Sequence, residues 1–597
     1  MSTFESKEFI ERDKCLLRAF GIDPEGAECI RMSRKSTRRE IFKISEANRQ
    51  KIKETVASIS KKHGGVGVGF DHKSVTRHHV NGETSTILGI SLQVTDKDGH
   101  RHSYLLAFEH TEGETHEEAI RTVKEVLEDF GLLESAQSGH ITLSTDYALA
   151  GAAKRISFNT SVDPNHSIDR LLKRTTKELL PKFINNAVVE LKKTTDLIRN
   201  ARKCLSKKQL KRHPESTEAS LNDYLVSKGV KPIQSYTEVR FRSLHESISS
   251  IIGAKSAILE LVGDSNDPNH FHAANLPDFA FVEALFDLLE KAFVPLIDYC
   301  DSEKTSQCGE YLPEAEFLLQ YACSNIHADN EFTETFKNTL VAAVLEQLIG
   351  HYILEDETMD SSVRTRLLPN ELVAMYGTIS RKSCNLEKVQ WILKEGKRDD
   401  DAKLVKQYAV ENKLLDQARL QIKRYDSLIN DDSSSILDFD SDDSCLSDDS
   451  NQNLFTNPDR STNSSRSFTS NRTEIEKECD KWENLEISYW KSFKLFANAE
   501  GWLYKKSAKG FILQNQHNQK YWRSLVHIFP RLSKIMLFVL NAPCSTSPLE
   551  RYFSTISMNT SPIAANRTTE YLEQVNQTNS INDKFFEVIN ELNSSTN

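Results

Sequence analysis

No run of apolar residues in this chain approaches the roughly 18 that a membrane span needs. The start, Met1-Ser2-Thr3-Phe4-Glu5-Ser6, lacks the basic-then-apolar pattern of a secretory leader. The ten cysteines are scattered and none forms a CxxC pair, which argues for a reducing compartment and against a disulfide framework or a compact zinc knuckle. Before residue 60 only Cys15 and Cys29 occur, with no His pair at zinc-ligand spacing, so no zinc finger is expected. Glu, Lys and Arg are all missing between Asp426 and Asp459, where ten Asp occur. That stretch alone carries the chain's whole formal charge of −10, and the rest balances to zero. An acidic total therefore excludes nothing about nucleic-acid binding elsewhere in the chain, because the distribution of charge outweighs its sum.

What is present, 597 residues, exceeds one ordinary core and points to several domains. Residues 1–60 read as helical, with Ser36 or Thr37 as a cap and Glu40 placed for a capping box. From residue 66 the period turns strand-like. Val66 to Phe70 forms a strand that leads into Asp71, Thr86 to Val94 a second, and Ser103 to Phe108 its return after the Asp96-Lys97-Asp98-Gly99 turn. A helix over Thr115 to Phe130 is closed by Gly131. Then come a strand over His140 to Thr145 delivering Asp146, a small helix over Ala148 to Arg155, a strand over Ile156 to Asn159 and a long helical region from His166. This is the element order of an RNase H-like α/β fold, in which the first and fourth strands are central neighbours and Asp71 and Asp146 would meet. Residues 245–425 read as all-helical, and 427–472 as a disordered acidic linker.

The most specific pattern lies near the C-terminus. Trp522 precedes Phe529-Pro530-Arg531-Leu532-Ser533, followed by Pro543-Cys544-Ser545-Thr546 and then Glu550-Arg551-Tyr552-Phe553-Ser554. This succession resembles the C-terminal dimerisation region of the hAT superfamily of DNA transposases. Asp71-His72-Lys73-Ser74, Thr145-Asp146-Tyr147-Ala148, Arg240-Phe241-Arg242-Ser243 and Met32-Ser33-Arg34-Lys35-Ser36-Thr37 fit further landmarks of that family. The chain departs from the family where Asp163 stands three residues before His166 in place of a Cys, where Phe241 replaces a Trp, and in lacking the BED zinc finger.

The resemblance implies an RNase H-like mixed sheet interrupted by a large all-α insertion. The expected domains are 1–60, a helical DNA-binding or dimerisation remnant; 61–245, the first part of the nuclease core; 246–426, the insertion; 427–472, the linker; and 473–597, the end of the core with the dimerisation region. It further implies a nuclear protein that binds DNA and itself, with no membrane or small-molecule cofactor. Asp71, Asp146 and Glu550 would hold Mg2+ or Mn2+ for strand cleavage and transfer. Candidate DNA contacts are Arg34, Lys35, Arg38, Arg39, Arg240, Phe241 and His166, although His166 without its Cys partner reads rather as a packed or helix-capping residue and charge runs can be solvated helix faces. Candidate dimerisation residues are Phe529, Leu532, Arg551 and Phe553. The alternative is a transposase-derived DNA- or protein-binding dimer that no longer cuts.

Overall fold

The computed structural model describes residues 34–59, 65–76, 84–96, 100–111, 115–146, 148–202, 220–235, 241–262, 275–300, 311–324, 331–349, 369–377, 386–430, 473–484 and 522–559, with 573–574, 577 and 587–588 beyond them. A helix, α1 (Arg34–Ile59), precedes the strands β1 (Val66–Thr76), β2 (Thr84–Thr95) and β3 (Arg101–Thr111). Next come α2 (His116–Asp129), α3 (Leu133–Gln137), β4 (Thr142–Thr145), α4 (Ala150–Ile156), β5 (Thr160–Val162) and α5 (Pro164–Lys173). The five strands form one mixed sheet in the order β3-β2-β1-β4-β5. β1 and β4 are parallel neighbours, as the element order predicts.

Strand alternation divides the sheet into two unlike faces. Val66, Val68 and Phe70 of β1, Leu88, Ile90 and Leu92 of β2, and Leu143 of β4 are buried with Ala119, Val123 and Leu127 of α2 and Ile52 and Val56 of α1. The opposite face carries Gly67, Gly69 and Asp71 on β1, paired with Gln93, Ser91 and Gly89 on β2. This second face receives a chain segment from the far C-terminus. A Cβ added at Gly67 would lie 2.7 Å from Pro543 Cγ and 2.9 Å from the Pro543 carbonyl oxygen. One added at Gly89 would lie 2.8 Å from the Phe553 ring.

Several boundaries differ from the sequence reading. Ser36 and Thr37 lie inside α1 rather than capping a later helix, because Arg34 and Lys35 are already helical. The strand read over Ile156 to Asn159 is instead Thr160–Val162. Ile156 is the buried last residue of α4, and Ser157 N–H donates to Ala153 O to close that helix. Asn159 precedes the strand: its carbonyl accepts the Leu143 N–H of β4 at 2.9 Å, and its side chain donates to Gly139 O and Thr142 Oγ1. The short α3 has no marked counterpart in the sequence pattern. The helix Leu414–Asn430 runs past the expected start of the linker at 427, because Leu428 and Ile429 pack on the helical core. Residues 431–472 lie outside the described residues.

The remaining described elements are helical, and up to Cys544 their core is one continuous cluster that starts at Ile168, within the stretch expected as the first part of the nuclease core. At its centre is α6 (Glu331–Ile349), with buried side chains all round, as a helix inside a bundle should have. Its Gln347 donates to Ser167 Oγ at 2.6 Å, which fixes α5 from below. Three later helices matter for the site's surroundings: α7 (Glu474–Asn484), α8 (Pro530–Leu540) and α9 (Ser547–Asn559). Among the described residues no helix is long and apolar enough to cross a membrane.

Gly67→Ala should destabilise the protein by about 1–3 kcal/mol, since the atoms its methyl would meet belong to a proline ring and a backbone carbonyl that cannot rotate away. Urea denaturation of both proteins measures this, and an unchanged midpoint would mean that the C-terminal segment does not rest on β1.

Candidate active site

Asp71 is the next residue after Gly69 on the same face of β1, so strand parity alone turns its carboxylate toward the segment that covers the glycines. On the neighbouring strand Ser144 lies opposite Gly69, and Asp146, two residues on, follows just past the end of β4. One Asp146 oxygen accepts the Leu149 N–H at 2.8 Å, which shapes the turn into α4. Two adjacent parallel strands thus deliver two carboxylates to one side of the sheet.

The third, Glu550, arrives from more than 400 residues beyond Asp146. Pro543 rests on Gly67, and Ser545 O accepts the buried Gln93 side-chain N–H at 2.6 Å. Arg101 of β3 donates to Ser547 Oγ at 3.3 Å, at the start of α9. Leu549 and Phe553 then pack with Ile87, Leu105 and Phe108, and Phe553 stacks on Phe108 with ring centroids 5.5 Å apart. With one face of α9 anchored in this way, Glu550 in its first turn stays half exposed, and its carboxylate lies 3.9 Å from His166 Nε2.

His166 sits in the first turn of α5, where its side chain is a third exposed. The residue that organises this corner is Asp163, which the sequence marked only as a departure from a family pattern. It caps α5 by accepting the Asn165 N–H at 2.7 Å, and its other oxygen accepts from both the backbone N–H and the hydroxyl of Thr546. Asp-Pro ahead of an amphipathic run is a legible helix start, but nothing local reveals the second partner. Gln93 Oε1, Ser144 Oγ and Ser161 Oγ are buried nearby on the sheet without a hydrogen-bond partner among the described residues. Such atoms usually hold ordered water or a polar ligand.

Burial, opposed by His166 and reinforced by Asp146 and Glu550, pushes the Asp71 carboxyl up to about 7. Burial opposes charge on the His166 imidazole, but Asp163 above all, with Asp71, Glu550 and Asp146, outweighs it and raises its pKa. The structure therefore brings Asp71, Asp146, Glu550 and His166 into one electrostatic group. Among the described residues, no three such side chains already stand gathered as the ligands of an ion.

The other candidates fall elsewhere. Arg39 is exposed on α1, while the side chains of Arg34, Lys35, Arg38 and Phe241, and all of Arg240, lie outside the described residues. Phe529, Leu532 and Phe553 are buried in the chain's own core, Phe529 edge-on to Trp482 at 5.8 Å, so a second copy would not meet these side chains on the surface. Arg551 is exposed.

Because the folded-state pKa of Asp71 is raised, the unfolded chain releases that proton first as pH climbs. Stability is lost from the ordinary carboxylate range up to about pH 7 and then levels off. Asp71→Asn lacks this loss, so its melting temperature relative to wild type should rise between pH 4.5 and 8. A difference independent of pH would mean that Asp71 ionises as it does in water.

No family model matches this chain, and no curated protein matches it.

Proposed function

We propose that the chain is a metal-dependent DNA strand-cleaving and strand-transferring protein of the hAT transposase type, with an RNase H-like sheet interrupted by a helical insertion. One observation carries this reading. Carboxylates from two adjacent parallel strands and from a helix encoded far downstream share one side of the sheet, and Asp71 is raised to about 7 partly by the negative charge of the other two. Like charges are costly to gather in a buried place unless a cation or a proton joins them.

The donor set fits a hard divalent cation, which prefers carboxylate oxygens and water. Asp71, Asp146 and Glu550 would hold Mg2+ or Mn2+. Such ions stabilise the attacking and leaving oxygens of a phosphodiester displacement. The protein's own part is positional. Asp146 keeps one oxygen on Leu149 N–H and so holds a fixed orientation. His166 offers an imidazole beside Glu550, held in place from α5 and α6. DNA would lie across the open side where Glu550 and Arg551 are exposed. Self-association, if the chain dimerises as the resemblance implies, would use surface residues such as Arg551 rather than Phe529, Leu532 or Phe553.

The test is strand cleavage of the terminal repeats flanking the coding region, with Mg2+ or Mn2+. Wild type should cleave, and Asp71→Asn and Glu550→Gln should each fall to background while still binding the DNA. Cleavage at the wild-type rate by Asp71→Asn would overturn the assignment. DNA binding without cleavage by wild type would favour the non-cutting dimer.

A further inference from the structure

We infer that Asp163 is the positioning residue of the three-carboxylate site: a single buried carboxylate fixes the starts of two helices, and through them the placement of His166 and Glu550. The inference rests on the reading of those carboxylates as a metal site. Asp163 is 1% exposed, and among the described residues no lysine or arginine pairs with it. Its contacts are instead Asn165 N–H at 2.7 Å on one oxygen, with Thr546 N–H, Thr546 Oγ1–H and, at 3.5 Å, Ser545 Oγ–H on the other.

Each contact sits at a helix origin. Asp163 is the N-cap of α5, and His166 lies three residues further on. Thr546 O accepts Leu549 N–H at 2.8 Å and Glu550 N–H at 3.4 Å, so Thr546 starts α9, and Glu550 lies four residues further on. Both side chains are thus about one helical turn from a shared anchor, and they end 3.9 Å apart. The anchor does not float. Gln93 holds Ser545 O from the sheet side, Pro543 is seated on Gly67, and Ser167 is held by Gln347 of α6.

The chemistry explains why an aspartate stands here. Ser, Asn or Asp would each cap α5. Only an ionised carboxylate has two oxygens that both accept and never donate, and Thr546 presents two donors to the oxygen that α5 leaves over. An amide placed there would set an N–H against one of these groups. Hydrogen bonds to an ionised acceptor are also the stronger kind, which suits a joint between segments 383 residues apart.

The test uses the full chain and two readouts, neither of them cleavage. Deuterium exchange over residues 543–553 reports the joint, and Mn2+ titration followed by the electron paramagnetic resonance of free Mn2+ reports the site. Asp163→Ala should speed exchange in that segment and weaken Mn2+ binding about tenfold or more, the range typical of residues that orient metal ligands. Asp163→Asn, which keeps shape and one acceptor, should fall between it and wild type and remains testable if the alanine variant does not fold. Asp169→Ala, on the same helix but paired with Lys173, should change neither readout. Unchanged exchange in Asp163→Ala and Asp163→Asn overturns the inference. So does faster exchange with wild-type Mn2+ affinity, provided Asp71→Asn loses Mn2+. Equal Mn2+ binding by wild type and Asp71→Asn overturns the metal reading on which the inference rests.

Discussion

Where Pro543 crosses β1 there is no room for even one methyl group, and the same holds where Phe553 crosses β2. Two residues without side chains, Gly67 and Gly89, make one face of the sheet shallow enough for the C-terminal segment to lie against it, while at Gly69 an added Cβ would meet Gln93, Ser144 and Ser91 of the sheet itself. The arrangement of Glu550 depends on that closeness. With ordinary side chains at these positions the covering segment would be displaced outward by the bulk of a side chain, and Gln93 would no longer reach Ser545. Glycine in a strand weakens it. Here the weakness is offset because β1 is flanked on both sides, by β2 and β4, so its ladder does not depend on side-chain packing at one edge.

The electrostatics follow from the same closeness. A sheet face carrying Asp71 and Asp146 alone would be open to water, and Asp71 would lose the burial that raises it. Covering it with α5 and α9 removes water from Asp71 and adds Glu550, while His166 arrives as the opposing charge. The site is thus held between two tendencies. Burial favours neutral groups, while the histidine and any bound cation favour ionised ones.

The sheet was largely legible in the sequence. Alternation, the Asp-Gly turn and the helix closed by Gly131 gave four strands and their order, because each signal is local. The spacing Val66-Gly67-Val68-Gly69-Phe70-Asp71 also carries a signal of the site. Two glycines on the face of the carboxylate announce that something must approach it closely. The fifth strand was misplaced because Ile156 and Phe158 are apolar for other reasons. One ends a helix, and the other packs against Gly139 and beneath Arg424. The C-terminal pattern implies Phe529, Leu532 and Phe553 as dimerisation residues, and these three side chains are buried within the chain. An apolar residue declares that it will be buried, but not by which chain. Asp163 was invisible for a related reason, since its decisive partner, Thr546, is remote in sequence.

That remoteness orders the events of synthesis. Strands β1 to β5 and both aspartates leave the ribosome long before Thr546, and at about 5–20 residues per second the 383 intervening residues take on the order of 20–80 s. Throughout that interval the glycine face has no cover, its polar groups are hydrated and the carboxylates number two. The segment around Thr546 both seals the sheet and completes the charge cluster, so a chain stalled before it lacks both the cover and the third carboxylate. Completion of the site thereby waits on a segment of the same chain made long after the sheet.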